Sequence, residues 1–149
     1  MITRKMQESR RLLIFSMALM YALMFMVRCR HSPVNEQSTD TDAVLSVYFF
    51  HLTTRCEACT AVEENTVRVL DKYYKSQLQS GTISFRSINI DDRENRALTE
   101  RYKISYTSLL LVRNDGTFTD FTNTALNYAN MAPSRFEELL KTEIDKNLQ

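Results

Sequence analysis

Cys56 and Cys59 are separated by two residues, Glu57 and Ala58, where an apolar run from Val44 to Phe50 gives way to a helical pattern. A cysteine at a helix N-terminus faces unpaired amides and the positive end of the helix dipole, which favour its thiolate and lower the pKa from about 8.5 toward neutral. A helical Cys-x-x-Cys also brings both sulfurs to one edge of the first turn, within bonding distance. Such a pair can exchange electrons with another dithiol.

The elements around the motif are legible in order. Val44 to Phe50 is a nearly continuous apolar, β-branched and aromatic run, as expected of a strand buried on both faces in the middle of a sheet. His51 to Arg55 is a polar connector. Beyond the cysteines, Val62, Thr66, Val69 and Tyr73 recur at spacings of four, three and four and predict a helix face that packs on the sheet. Gly81 stops this unit. Thr82 to Ile90 then alternates at Ile83, Phe85, Ile88 and Ile90, with one slip between Phe85 and Ile88 that predicts an irregular strand.

Asp91 with Glu94 three residues on resembles a helix start, and Ala97, Leu98 and Tyr102 suggest a short amphipathic helix. Leu109 to Arg113 and Thr117 to Thr122 flank Asn114-Asp115-Gly116, which predicts a β-hairpin. Pro133 and Ser134, with Glu137 three residues on, open a last helix to about Asn147, apolar at Phe136, Leu139, Leu140 and Ile144. The expected fold is α/β, in the order β-α-β-α-β-β-α, a central mixed sheet flanked by helices. The cysteines fall at the carboxyl end of the first strand, where open α/β sheets place their sites.

The chain has 149 residues, room for one domain and an appendage. Residues 1–30 hold six Lys/Arg against one Asp/Glu, whereas 44–149 hold thirteen against fourteen. The folded part has no basic excess, so nucleic acid is not an expected partner. Arg4, Lys5, Arg10 and Arg11 precede Leu12 to Val27, sixteen residues without a charge, and Arg28 and Arg30 close the run. As a helix it would be about 24 Å long, short of the roughly 30 Å hydrocarbon core, so flanking arginines must snorkel or the bilayer must thin. Met26-Val27-Arg28-Cys29-Arg30 offers no small-residue cleavage site.

The expectation is a cytoplasmic basic segment at 1–11, an uncleaved transmembrane signal anchor at 12–27, a flexible linker at 28–43 and the folded domain at 44–149. The larger positive cluster before the run keeps that end in the cytoplasm and sends the domain across the bilayer. Arginine before Cys29 does not suit a lipobox, and Cys29 reads as a spare thiol at the membrane edge.

That element order, with Cys-x-x-Cys after the first strand, resembles the thioredoxin superfamily over roughly residues 44–147. Val47-Tyr48-Phe49-Phe50-His51 before Arg55-Cys56-Glu57-Ala58-Cys59, Asn89-Ile90-Asp91 after the second strand, and Tyr106-Thr107-Ser108 before the third look most like membrane-tethered bacterial thioredoxin-like proteins labelled ArsF-type nitroreductase subunits. Nothing in the chain resembles a flavin or nitroaromatic site, and no cofactor is expected.

The resemblance implies a thiol–disulfide oxidoreductase in which Cys56 is the nucleophile and Cys59 resolves the mixed disulfide. Arg55, Glu57 and Thr107 would meet the substrate. It implies work at the extracytoplasmic, periplasmic side of the bacterial inner membrane, on protein or small-molecule disulfides and thiols, with electrons from a membrane partner. Two departures stand out. Thr107 occupies the place of the superfamily's cis-proline, a residue that also keeps metal off the dithiol. Phe49 and Phe50 occupy the stretch that supplies a buried carboxylate beneath the second cysteine, which leaves water or Glu57 as proton acceptor.

A disulfide closing so short a loop constrains the unfolded chain little, so a purely structural bond explains the motif poorly. A closed zinc site needs about four ligands, more than one Cys-x-x-Cys and two histidines readily provide, so no metal site is expected. Arg55 would stabilise a Cys56 thiolate and Glu57 would oppose it. With no histidine between the cysteines, the expected potential lies nearer thioredoxin's than that of the most oxidising relatives. His51 reads as a partly exposed strand end, with a ligand or proton-relay role as the alternative. The rival function is a dithiol module holding Cu(I) or trivalent arsenic for a transporter.

Overall fold

Strand β1 (Leu45–His51) is buried along its whole length, in a computed structural model that describes residues 43–149. The expected anchor, the basic segment before it and the linker as far as residue 42, with Cys29, lie outside the described residues. Among the described residues no helix is long and apolar enough to cross a membrane.

β1 lies between β2 (Ile83–Asn89), which it pairs in parallel, and β3 (Ser108–Arg113), which it pairs antiparallel. β4 (Phe118–Asp120) completes the sheet antiparallel to β3, giving the order β2-β1-β3-β4. Because successive strand side chains point to opposite faces, Leu45, Val47 and Phe49 enter one core and Tyr48 and Phe50 the other. The continuous apolar run of β1 is thereby explained: it feeds two cores at once.

The first core is covered by α1 (Glu57–Tyr73), α4 (Thr122–Tyr128) and α5 (Pro133–Asn147). Val62, Val69 and Leu70 of α1, Ala125 of α4 and Phe136, Leu140 and Ile144 of α5 meet Leu109 and Leu111 of β3 there. The second core is smaller: Leu98 and Tyr102 of α3 (Arg96–Tyr102) pack on Tyr48, Phe50, Ile88, Leu110 and Val112.

The structure corrects several local expectations. β2 has no irregularity, for its pairing to β1 runs unbroken from Leu45 opposite Ile83 to His51 opposite Asn89. The slip between Phe85 and Ile88 is a change of face: Ile83 and Phe85 serve the first core, Ile88 and Ile90 the second. Tyr73 is 38% exposed, and its hydroxyl donates to Glu137. α1 ends at that residue, and Tyr74 takes the core position instead, before a short helix α2 (Lys75–Gln79) that sequence periodicity does not show.

Asp91 does not cap a helix; a turn of 3-10 helix at Arg93–Asn95 intervenes before α3. The second hairpin strand stops at Asp120, whose carboxylate accepts the Thr122 N–H and starts α4 where strand was expected. The Asn114-Asp115-Gly116 turn is as expected, with Gly116 at φ 84°, a conformation costly for other residues. α5 begins at Pro133 as expected, but Glu137 makes no capping box and instead accepts from Lys72 and Tyr73 of α1.

Candidate active site

The β1–α1 junction carries the dithiol. Cys56 is the N-cap of α1, with extended backbone (φ −86°, ψ 162°), and its sulfur accepts the Cys59 N–H at 3.3 Å. Its carbonyl accepts the first helical hydrogen bond, from the Thr60 N–H at 3.1 Å. The motif therefore spans one helical turn with its first sulfur over the unpaired amides, the placement that favours a thiolate there. Cys56 and Cys59 are joined as a disulfide, with Cα atoms 5.2 Å apart. Cys56 is exposed; Cys59 is 8% exposed and packs in the same core as Phe49.

Thr107 stands immediately before β3 and two residues ahead of Leu109, so strand alternation turns it to the cysteine face. Its hydroxyl lies 3.4 Å from Cys59 Sγ, and the residue is 8% exposed. Among the described residues no peptide bond is cis. Tyr106 beside it is 59% exposed. Phe49 is fully buried in the Cys59 core, so an aromatic ring occupies the region where the resemblance looks for a carboxylate.

The remaining residues expected at the site divide into two groups. Glu57 is exposed in the first turn of α1, where its charge complements the helix dipole. Arg55 turns its guanidinium to other partners. It donates to Glu63 of α1, to the His51 ring, with Nη2 2.6 Å from His51 Nε2, and at 3.5 Å to Ser87 of β2. Pairing with Glu63 offsets the positive charge that sequence reasoning assigned to the Cys56 thiolate. His51 is 7% exposed rather than a partly exposed strand end, and its ring stacks on Phe49 with centroids 5.8 Å apart.

Sequence reasoning missed a latch beneath the connector. The Thr53 N–H donates to Asp91 at 2.8 Å, Asn89 Nδ2 donates to Thr53 Oγ1 at 3.0 Å, and the Asp91 N–H donates to Asn89 Oδ1 at 3.1 Å. The backbone and side-chain bonds from Thr53 hold the Asp91 carboxyl below its ordinary range. The available signal was positional: parallel pairing of His51 with Asn89 sets the polar residues after β2 beside those after β1. Among the described residues no group of three or more His, Cys, Asp or Glu side chains could hold a metal ion.

Comparison with solved structures finds thioredoxin-like proteins. The chain is 25% identical to the germline-specific thioredoxin Deadhead (Thioredoxin-1) of Drosophila melanogaster, covering 71% of this chain and 83% of that one, with a TM-score of 0.47. It is 16% identical to the zinc-bound form of human ERp44, over 66% of this chain and 30% of that one, TM-score 0.45. It is 14% identical to Trxlp from Edwardsiella tarda EIB202, over 68% and 85%, TM-score 0.45. No protein-family model and no curated protein matches the chain. The strand order β2-β1-β3-β4, with one parallel and two antiparallel pairings, and the dithiol after β1 define a mixed four-stranded α/β module carrying a Cys-x-x-Cys disulfide.

Proposed function

We propose that this chain is a thiol–disulfide oxidoreductase held by residues 12–27 at the extracytoplasmic face of a bacterial inner membrane. One observation carries the reading: a disulfide joins an exposed N-cap sulfur to a buried one. Reduced Cys56 meets a substrate disulfide from solvent. Its thiolate attacks one substrate sulfur, forming a mixed disulfide and releasing the other sulfur as a thiolate. Cys59 then attacks Cys56 Sγ, the bond from Cys56 to the substrate breaks, and the substrate leaves as its second thiolate. The pair loses two electrons and the substrate gains them.

Thr107 lies against the Cys59 sulfur on the β3 side, next in the chain to the exposed Tyr106, and Glu57 follows Cys56 on the helix side; these surfaces would meet the substrate. Arg55 acts on it less directly, since its guanidinium is engaged by Glu63 and His51. A membrane electron-transfer partner returns two electrons to the pair. The basic residues before 12–27 and the polar stretch after them support the tether, in keeping with the ArsF-type group the sequence resembles. The test is reduction of a model protein disulfide, insulin, by the reduced full chain with dithiothreitol as electron source. The reading expects turnover that vanishes in Cys56→Ser. Absence of turnover together with stoichiometric sub-micromolar binding of Cu(I) or trivalent arsenic would favour a dithiol carrier instead.

A further inference from the structure

We propose that Thr107 is the hydrogen-bond donor that stabilises the Cys59 thiolate, and that it thereby sets both the resolving step and the reduction potential of the pair. The inference rests on the redox reading above and assigns to Thr107 a role distinct from substrate contact.

In the disulfide neither sulfur carries a hydrogen, so across the 3.4 Å between Thr107 Oγ1 and Cys59 Sγ the hydroxyl must donate. Both residues are 8% exposed, so little water competes for that contact. Cys59 belongs to the apolar core cluster that also holds Phe49 and Val62. Among the described residues, the Thr107 hydroxyl is the polar side-chain group within hydrogen-bond distance of its sulfur. The Cys59 N–H is directed at Cys56 Sγ. A thiolate formed at Cys59 thus has one built-in side-chain donor.

A hydrogen bond to an ionised acceptor is roughly twice as strong as one between neutral groups, and a disulfide sulfur is a weaker acceptor than either. The same O–H therefore contributes more to the reduced, ionised pair than to the oxidised one. In the resolving step the Cys59 thiol loses its proton and the thiolate, held by Thr107, attacks Cys56 Sγ. The departing substrate thiolate takes up one proton, so protons and electrons both balance. Thr107 keeps its own hydrogen throughout: it stabilises charge and is not the proton acceptor.

The test equilibrates the full chain with glutathione and glutathione disulfide at a pH above the Cys59 alkylation midpoint, where the reduced Cys59 is ionised. Two glutathione thiols reduce the protein disulfide and leave as one glutathione disulfide. Thr107→Val keeps the shape of the side chain and removes the hydroxyl; Thr107→Ser keeps the hydroxyl. The expected result for Thr107→Val is about a tenfold shift of the equilibrium toward the disulfide, equivalent to a potential lower by about 30 mV. Thr107→Ser stays near the parent. Thr107→Ala serves as a second hydroxyl-free variant should valine disturb folding.

The second readout is the alkylation rate of Cys59 against pH in a Cys56→Ser background, which needs no redox partner. Removing the hydroxyl should move its midpoint to higher pH. A Thr107→Val equilibrium within about twofold of the parent, or an unmoved midpoint, would overturn the proposal. A parent pair that failed to equilibrate with glutathione would sink the redox reading, whereas the Cys59 profile would still decide the role of Thr107.

Discussion

Cys56 stands in solvent at the N-cap of α1, while Cys59, with its Cα 5.2 Å away, lies against the Phe49 core. The two sulfurs therefore differ in everything that governs thiol reactivity except their bond to one another. In the reduced protein Cys56 should react with iodoacetamide about tenfold or more faster than Cys59 near neutral pH, because exposure and the helix N-terminus both favour its thiolate. Peptide mass spectrometry of partially alkylated protein reads the ratio.

The Thr53–Asp91 hydrogen bond ties the connector before the dithiol to the end of β2. Asp91→Ala should speed amide exchange at Thr53 at least several-fold, with Asp91→Asn intermediate because its side-chain oxygen still accepts. The pH dependence has a definite sign. Thr53 lowers the Asp91 pKa from its ordinary value near 3.8, so the latch contributes fully above that value and is lost as pH falls through the lower folded value. Asp145 and Glu137 are lowered by their partners on Lys141 and Lys72 and act in the same direction. The fold should therefore hold near its neutral stability to about pH 4 and weaken below it. Denaturant midpoints measured from pH 7 down to pH 2 test this.

Tyr74 enters the first core where α1 ends, with its hydroxyl 2.6 Å from Asp145 and 3.0 Å from the Lys141 carbonyl. Burial and Asp145 together push its phenol well above the usual range, so it remains a donor at every working pH. Tyr74→Phe keeps the ring and leaves those acceptors without it. A loss of about 1–2 kcal/mol is expected from urea unfolding, with little change in the dithiol potential.

What could be read from the sequence follows from which signals are local. The continuous apolar run of β1, the Asn114–Gly116 turn and Pro133 at the start of α5 each act within a few residues, and each appears as expected. The dithiol was legible because its spacing is itself the chemistry. α4 was not, since Thr117 to Thr122 alternates like a strand and only the Asp120 side chain decides where pairing stops. The change of face along β2 looks the same as a bulge until its neighbours are known. The Thr53–Asn89–Asp91 latch joins residues 36 and 38 positions apart, which meet only because β1 and β2 pair in parallel. Asp91 has the composition of a cap and is used as a latch, a choice made by tertiary neighbours.

The central claim is that Cys56 exchanges with substrate disulfides and Cys59 resolves the product. Trapping tests it most directly. The full-length Cys59→Ser chain, expressed in a bacterial host and acid-quenched, should accumulate mixed disulfides visible as reducible high-mass bands, and the Cys56→Ser and double variants should show none. Equal bands from the Cys56→Ser chain, or no adduct from Cys59→Ser under oxidising stress, would contradict it.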